Sequence, residues 1–423
     1  MSLRTEKHST ARKHIEACLA RIDAFEPALQ AFQSLDAEQA LVAAVAMDKG
    51  GKNLPLAGLA LGVKDIIDAV PYPTGCGSPI HAERVPRADA ACVAQLRAAG
   101  AVVLGKTVTT EFAFFSPGPT RNPHDGKRTP GGSSSGSAAA TAAGFIDAGL
   151  GSQTAASITR PASFCGVVGF KPSFGTYSLA GVKGLSPSFD TLGALTRDAT
   201  IMAAVHAVLA NPIPAAPVAE SIAPRRVGIC RTPWWDKAEQ ATRDAIAGAA
   251  KVFSTEAIVE DVNMDAFADA ATVHAAIMTF EAAQGLAAEM AVGREKLSPV
   301  LFGMLETGMR ITRDEHVWNL RRATELRKEV QALTDRYDVL VAPAATGEAP
   351  VGLAATGDPI FSRVWTLLRL PAITLPGFIG PNRMPVGIQL ISRLHDDERL
   401  LAHALWAERL LPKAPAPTAY RSE

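Results

Sequence analysis

The chain has 423 residues, with 42 basic and 42 acidic side chains and a formal net charge of zero. Hydrophobic residues make up 48% and charged residues 20%, a globular balance that excludes disorder over most of the length. Balanced charge without long runs of one sign removes the electrostatic case for direct nucleic-acid or anionic-membrane binding, and no apolar stretch reaches the roughly 18 residues that span a bilayer.

The first segment, Met1 to Lys13, is polar and charged, so no secretory signal is expected there. Five cysteines (Cys18, Cys76, Cys92, Cys165, Cys230) are odd in number and dispersed, with no C-x-x-C spacing. They suit free thiols in a cytoplasmic protein rather than a disulfide frame or a thiolate zinc site, and no metal or cofactor is expected. Ile15, Cys18, Leu19 and Ile22 recur at helical spacing, and an alanine-rich helix is expected from about Asp36 to Met47. Pro55 to Val63 reads as an apolar strand ending at Lys64. Ala88 to Ala99 reads as a helix closed by Gly100, and Ala101 to Leu104 as a buried strand. A run of small residues, Thr129 to Ser137, precedes Ala138-Ala139-Ala140; Phe145 to Leu150 returns to strand character and Gly151 to Arg160 to a polar turn. Asn211 to Ala223 is proline- and alanine-rich and reads as a surface connection. Strands follow at Val227–Cys230, Val339–Ala342 and Pro385–Ile391, with helices at about Thr242–Phe253, Asp314–Arg336 and Asp397–Leu411. This alternation points to an α/β sheet covered on both faces.

Three motifs compete for the chemistry. Gly100 to Thr107 matches the phosphate-loop pattern G-x-x-x-x-G-K-[ST], but its middle residues, Ala-Val-Val-Leu, favour an extended strand that cannot curl its amides around an anion. Gly132 to Gly136 matches the nucleophile-elbow pattern G-x-S-x-G, yet Arg121 to Pro130 before it offers no strand. A flexible Gly/Ser linker is disfavoured because apolar sequence flanks the run closely. The third reading joins Lys64, a serine of this run, and Ser157. Serine needs a base, and lysine can serve only when burial or nearby positive charge makes it neutral; Lys64 ends an apolar strand, with Asp65 beside it complicating the electrostatics.

Here the chain resembles the amidase signature family, hydrolases with a Ser–cis-Ser–Lys triad. The resemblance rests on Pro55-Leu56-Ala57-Gly58 leading to Gly62-Val63-Lys64-Asp65, on Gly100 to Thr107 followed by Glu111-Phe112, and on Pro130-Gly131-Gly132-Ser133-Ser134. It continues through Gly151 to Ser157, Arg160-Pro161-Ala162, Cys165 to Pro172, Tyr337 to Pro343 and Pro385 to Leu390. It implies an amidase-signature α/β fold, a large mixed central sheet with helices on both faces. Residues 1–423 would form a single amidase domain, with a signature core at about 55–200 and a C-terminal part at about 224–423 completing the sheet and pocket. Carried over by position, Lys64 would be the base, Ser157 the nucleophile and Ser133 the bridging serine after a cis Gly132–Ser133 peptide. The backbone N–H groups of Thr154, Ala155, Ala156 and Ser157 would form the oxyanion hole. Ala113 and Phe114 fall at the acyl-pocket wall, where an apolar acyl group would sit, and Arg160 could hold a substrate carboxylate.

The chain departs from the family pattern before the nucleophile. Gln153-Thr154-Ala155-Ala156 stands where an acid and two glycines are usual, so the hole requires negative φ at both alanines. Gln153 loses the charge but keeps hydrogen-bonding capacity, and Thr159 replaces an arginine that is displaced to Arg160. The resemblance implies hydrolysis of a linear carboxamide to an acid plus ammonia or an amine, through a Ser157 acyl-enzyme. The expected partners are a small-molecule amide, no direct nucleic acid and no membrane, with a homodimer as the assembly. Two alternatives are a glutamine-hydrolysing subunit of a tRNA-dependent amidotransferase and a silent binding protein. His395-Asp396-Asp397-Glu398 reads as a helix start rather than a metal site, Trp234, Trp235 and Trp365 as packing residues, and Cys165 as a buried thiol.

Overall fold

The computed structural model describes residues 10–50, 53–211, 213, 217, 218, 220–414, 416 and 417. Residues 1–9 of the N-terminal segment and residues 212, 214–216 and 219 of the expected surface connection lie outside the described residues. Eleven strands form one sheet: β1 Phe32–Leu35, β2 Ala60–Lys64, β3 Val102–Thr107, β4 Ala148–Gln153, β5 Val168–Lys171, β6 Thr191–Thr196, β7 Arg226–Cys230, β8 Ile258–Val262, β9 Val339–Pro343, β10 Ala372–Ile379 and β11 Pro385–Ile391. Their order is β1-β3-β2-β4-β6-β5-β10-β11-β9-β7-β8. The trio β3-β2-β4 is parallel, β9-β7-β8 is parallel, and the strands between them are antiparallel, so the sheet is mixed. Every residue of β2, β3, β4, β6, β9 and β11 is buried, because helices cover both faces.

The parallel trio positions the site. Strands β2 and β4 run side by side with Val63 opposite Leu150, so Lys64 and Ser152 emerge together at their carboxyl ends. Several sequence expectations shift here. The strand expected from Pro55 begins only at Ala60, because Leu54 to Gly58 turns, with Gly58 at φ +79. Strand β4 starts at Ala148 and absorbs Gly151 to Gln153 from the expected polar turn, and residues Thr159–Cys165 of that stretch and beyond are helical. Small side chains allow this: a Cβ on Gly149 would lie 2.8 Å from Ser137 Cβ, and one on Gly151 would lie 2.8 Å from Ser134 Oγ. The short helix Ser135–Ala142 therefore packs tightly against β4, and the Gly/Ser run is buried rather than a linker. Val102 to Thr107 of the Gly100–Thr107 stretch is extended as β3, which disposes of the phosphate-loop match.

In the C-terminal half, helices Pro299–Arg310, Arg313–Arg336 and Ile360–Leu367 each pack against helix Ala270–Gly285. Two of these helices supply side chains to the site. Among the described residues no helix is long and apolar enough to cross a membrane.

Candidate active site

Lys64 is fully buried at the end of β2, with Nζ 2.7 Å from Ser133 Oγ and 2.8 Å from Ser152 Oγ. Burial pushes its pKa down to about 7, and the more distant Asp190 carboxylate opposes part of that fall. The neighbouring Asp65 does not pair with Lys64. It turns to Lys106 Nζ at 3.1 Å and accepts from Gly75 N–H with both carboxylate oxygens, which settles the electrostatic complication raised by the sequence. The Gly132–Ser133 peptide is cis.

Between β4 and helix Thr159–Cys165 lies the turn Thr154–Ser157. None of its four residues has positive φ, so Ala155 and Ala156 meet the condition that glycine replacement imposed. Among the described residues the N–H groups of Ala155, Ala156 and Ser157 donate to no acceptor. Such free, adjacent donors suit an oxygen that gains negative charge. Gln153 braces the turn from below: its Oε1 accepts from Ile158 N (3.0 Å), Thr159 N (3.1 Å) and Thr159 Oγ1 (3.1 Å). Its Nε2 donates to Thr366 Oγ1 at 3.1 Å, a bond that an acid in this position could not make.

Ser157 is 8% exposed and lines a narrow cavity of about 20 Å³ with the rest of its turn, Arg160, Ala113 and Phe114. A second narrow cavity of about 30 Å³ shares Ala113, Thr154 and Leu185 and reaches Ser152 and Asp190. The turn Thr154–Ser157, Arg160, Ala113 and Phe114 thus line one cavity, and Ser152, at the edge of the second, joins it to Lys64 and Ser133. Among the described residues, however, no hydrogen bond joins Ser133 to Ser157; Ser157 is tied through its carbonyl to Ser134 N at 3.2 Å. The wall at Phe112 (φ 47) and Ala113 (φ 59) has two successive left-handed residues, held by bonds from Phe112 N to Cys76 O and from Ala113 N to Thr110 O. Arg160 is largely committed to the fold: NH1 donates to Gly357 O (2.6 Å), and NH2 to Gly132 O (2.8 Å) and Thr356 Oγ1 (2.9 Å). Only its buried Nε lacks a partner among the described residues, and burial lowers its pKa to about 9, so it stays charged at neutral pH.

The family model for Amidase matches residues 13–401. The chain belongs to the Amidase family. Members of this family hydrolyse amide carbon–nitrogen bonds, and the chain is an amidohydrolase with the mixed α/β fold of that family. A curated relative from Solidesulfovibrio magneticus, a glutamyl-tRNA(Gln) amidotransferase subunit, is 34% identical over 99% of this chain and 99% of its own. A solved vestigial protein complex, which reveals the evolutionary origins of an s-triazine catabolic enzyme, superposes with a TM-score of 0.88 at 30% identity, covering 96% of this chain and 97% of that one. The peptide amidase of Stenotrophomonas maltophilia superposes with a TM-score of 0.82 at 26% identity, covering 96% of this chain and 95% of its own.

These relatives correct one expectation. The sequence points to no direct nucleic-acid partner, whereas a relative matched over 99% of its length is a subunit of an enzyme named for a tRNA. The physical reason is that zero net charge describes one chain's own balance and carries no information about an assembly in which a different chain meets the RNA.

Sequence reasoning missed four side chains around this candidate site. Ser152 contacts Lys64; Asp190 accepts from Thr154 Oγ1 at 2.6 Å; His274 lies 2.8 Å from Thr154 O; and Thr366 Oγ1 donates to Ala155 O at 2.9 Å. The signal available was a single polar residue in small or apolar surroundings, as in Thr272-Val273-His274-Ala275-Ala276, which alone says buried but not where. The other weighed features are ordinary: Asp397 Oδ1 accepts from Ser173 N in the first turn of helix Asp397–Leu410, Trp365 is buried, and burial raises the Cys165 thiol pKa. Among the described residues no group of three or more metal-ligating side chains gathers.

Proposed function

We propose that the enzyme cleaves a small linear carboxamide through an acyl-enzyme on Ser157, with Lys64 as base acting through Ser133. The observation that carries this reading is the fully buried Lys64 amine, 2.7 Å from Ser133 Oγ, with its pKa lowered to about 7. In its neutral form Lys64 takes the proton of Ser133 as Ser133 takes that of Ser157, and Ser157 Oγ bonds to the amide carbon. The N–H groups of Thr154 to Ser157 receive the oxyanion. Collapse breaks the carbon–nitrogen bond, and the departing nitrogen regains a proton by the same route reversed. Water then attacks the acyl-enzyme and releases the carboxylic acid.

Ala113 and Phe114 would form the acyl wall, and Arg160 would contribute its charge and its unpaired Nε–H to an acyl group bearing a carboxylate. The cavity beside Ser157, only about 20 Å³ and walled by Ala113 and Phe114, supports a small acyl group rather than a bulky one. The continuous sheet, in which β5 pairs with β10, supports reading residues 1–423 as one amidase domain. Five buried free cysteines support a reducing, cytoplasmic setting. A fluorophosphonate serine probe followed by peptide mapping tests the assignment. A single adduct on Ser157, lost in Lys64→Ala, is expected; an adduct on Ser134 would refute it.

A second reading, a glutamine-hydrolysing subunit of a tRNA-dependent amidotransferase, is favoured by the relative of that name matched over its full length. It predicts glutamine hydrolysis that emerges only when partner chains are added.

A further inference from the structure

The turn that would hold the oxyanion is fastened from behind, carbonyl by carbonyl. A peptide unit is planar, so fixing the C=O of one residue fixes the direction of the next residue's N–H, which points the opposite way. Thr154 O is held by His274 Nε2 at 2.8 Å, which aims the Ala155 N–H. Ala155 O is held by Thr366 Oγ1 at 2.9 Å, which aims the Ala156 N–H. Ala156 O accepts from Arg160 N at 3.0 Å, which aims the Ser157 N–H. The first two clamps are side chains from helices Ala270–Gly285 and Ile360–Leu367, far along the chain from the turn.

We propose that His274 and Thr366 are positioning residues that aim the oxyanion donors of Ala155 and Ala156, with Gln153 orienting Thr366. The inference rests on reading Ser157 as the nucleophile. A carbonyl only accepts, so His274 carries its proton on Nε2. The ring is stacked on Phe189 with centroids 4.5 Å apart and an interplanar angle of 18°, so its direction is fixed by packing. Burial lowers its pKa to about 3, which keeps the ring neutral and its single donor in place across the working range of pH. Thr366 uses its hydroxyl completely along one line: it accepts from Gln153 Nε2 at 3.1 Å and donates its only proton to Ala155 O. The Gln153–Thr366 pair thereby links the floor of the turn to the back of the oxyanion hole. Alanine in place of glycine narrows the accessible backbone, and the two clamps select one conformation within it.

The test is the kinetics of Ser157 phosphonylation by a fluorophosphonate probe, with the limiting rate and the half-saturating concentration measured separately. Thr366→Val removes the hydroxyl at nearly constant volume. It is expected to lower the limiting rate by about 10- to 100-fold, short of the full loss of an oxyanion donor, while half-saturation changes less than about twofold. Thr366→Ser restores the donor and is expected within about threefold of the parent rate, and His274→Phe is expected to fall as Thr366→Val does. The apparent pKa of the rate stays where the parent enzyme has it, because Lys64 is untouched. Parent-like rates in Thr366→Val and His274→Phe would overturn the proposal. So would an equal loss in Thr366→Ser and Thr366→Val, or a displaced pH profile. If the parent enzyme forms no adduct on Ser157, the nucleophile assignment fails and this inference fails with it; an adduct on Ser157 with indifferent clamp variants fails the inference alone.

Discussion

Replacing Lys64 by methionine separates its role as base from its burden on stability. In the unfolded chain its pKa is that of a free lysine, 10.5, and burial brings it to about 7 in the folded protein. At about 1.4 kcal/mol for each tenfold change in the protonation constant, the folded state prefers the neutral amine by about 5 kcal/mol. Below about pH 7 both states hold the proton and the whole penalty stands. Between about pH 7 and 10.5 only the unfolded chain holds it, so stability from this group rises with pH. From pH 7 to pH 9 the gain is roughly 2 kcal/mol, allowing for half-titration at the lower end. Lys171 carries a similar shift to about 7, also through burial, but it is present in both proteins and cancels in the comparison. Urea unfolding of wild type and Lys64→Met at pH 7 and pH 9 is therefore expected to show a pH-dependent gain about 2 kcal/mol larger in the wild type. Wild-type kcat/KM is expected to rise to a plateau through an apparent pKa near 7, and Lys64→Met to lose at least about 100-fold. Identical pH dependence of stability in the two proteins, or a flat kcat/KM between about pH 6 and 9, would refute the reasoning.

The N-terminal helix Ala11–Leu29 is pinned by His14 Nε2, 2.6 Å from Asp147, which also accepts from Ala60 N and Arg197. Although burial opposes it, the hydrogen bond with Asp147 raises the His14 pKa to about 10. Asp147→Ala is expected to cost about 3 kcal/mol at pH 7 in urea unfolding. A raised pKa stabilises fully below the unfolded value of 6.5 and is lost through about 10, so the difference from wild type shrinks as pH rises across that window. Gly136 opens onto the backbone of Ala31 and Val108, and Gly136→Ala is expected to cost about 2 to 3 kcal/mol and lower the melting temperature; an unchanged melting temperature would show that helix Ser135–Ala142 sits less tightly than described.

Long, amphipathic or strongly patterned segments were legible in advance. Strand β11 has the expected bounds, and helices Gln240–Phe253 and Arg313–Arg336 differ from expectation by a residue or two. Strands β1, β5, β6, β8 and β10 are not legible as strands in the sequence; Thr191 to Thr196, for example, is buried throughout and mixes leucines with Thr, Gly and Ala, so the two-residue alternation that marks a half-exposed strand never appears. Helix Ala270–Gly285, apolar around much of its circumference, likewise lacks the one-sided stripe that would announce it.

The sequence by itself determined the family and singled out Lys64, Ser133 and Ser157 as the candidate triad, because local motifs surround each of them. Tertiary structure alone decided that Asp65 turns to Lys106, that Arg160 spends most of its guanidinium on the fold, and that Ser152, Asp190, His274 and Thr366 converge on the same site. The physical reason is the sheet order. It sets strands from both halves side by side and carries helices far apart in sequence against one turn, where hydrogen bonds depend on distance and direction rather than on spacing along the chain.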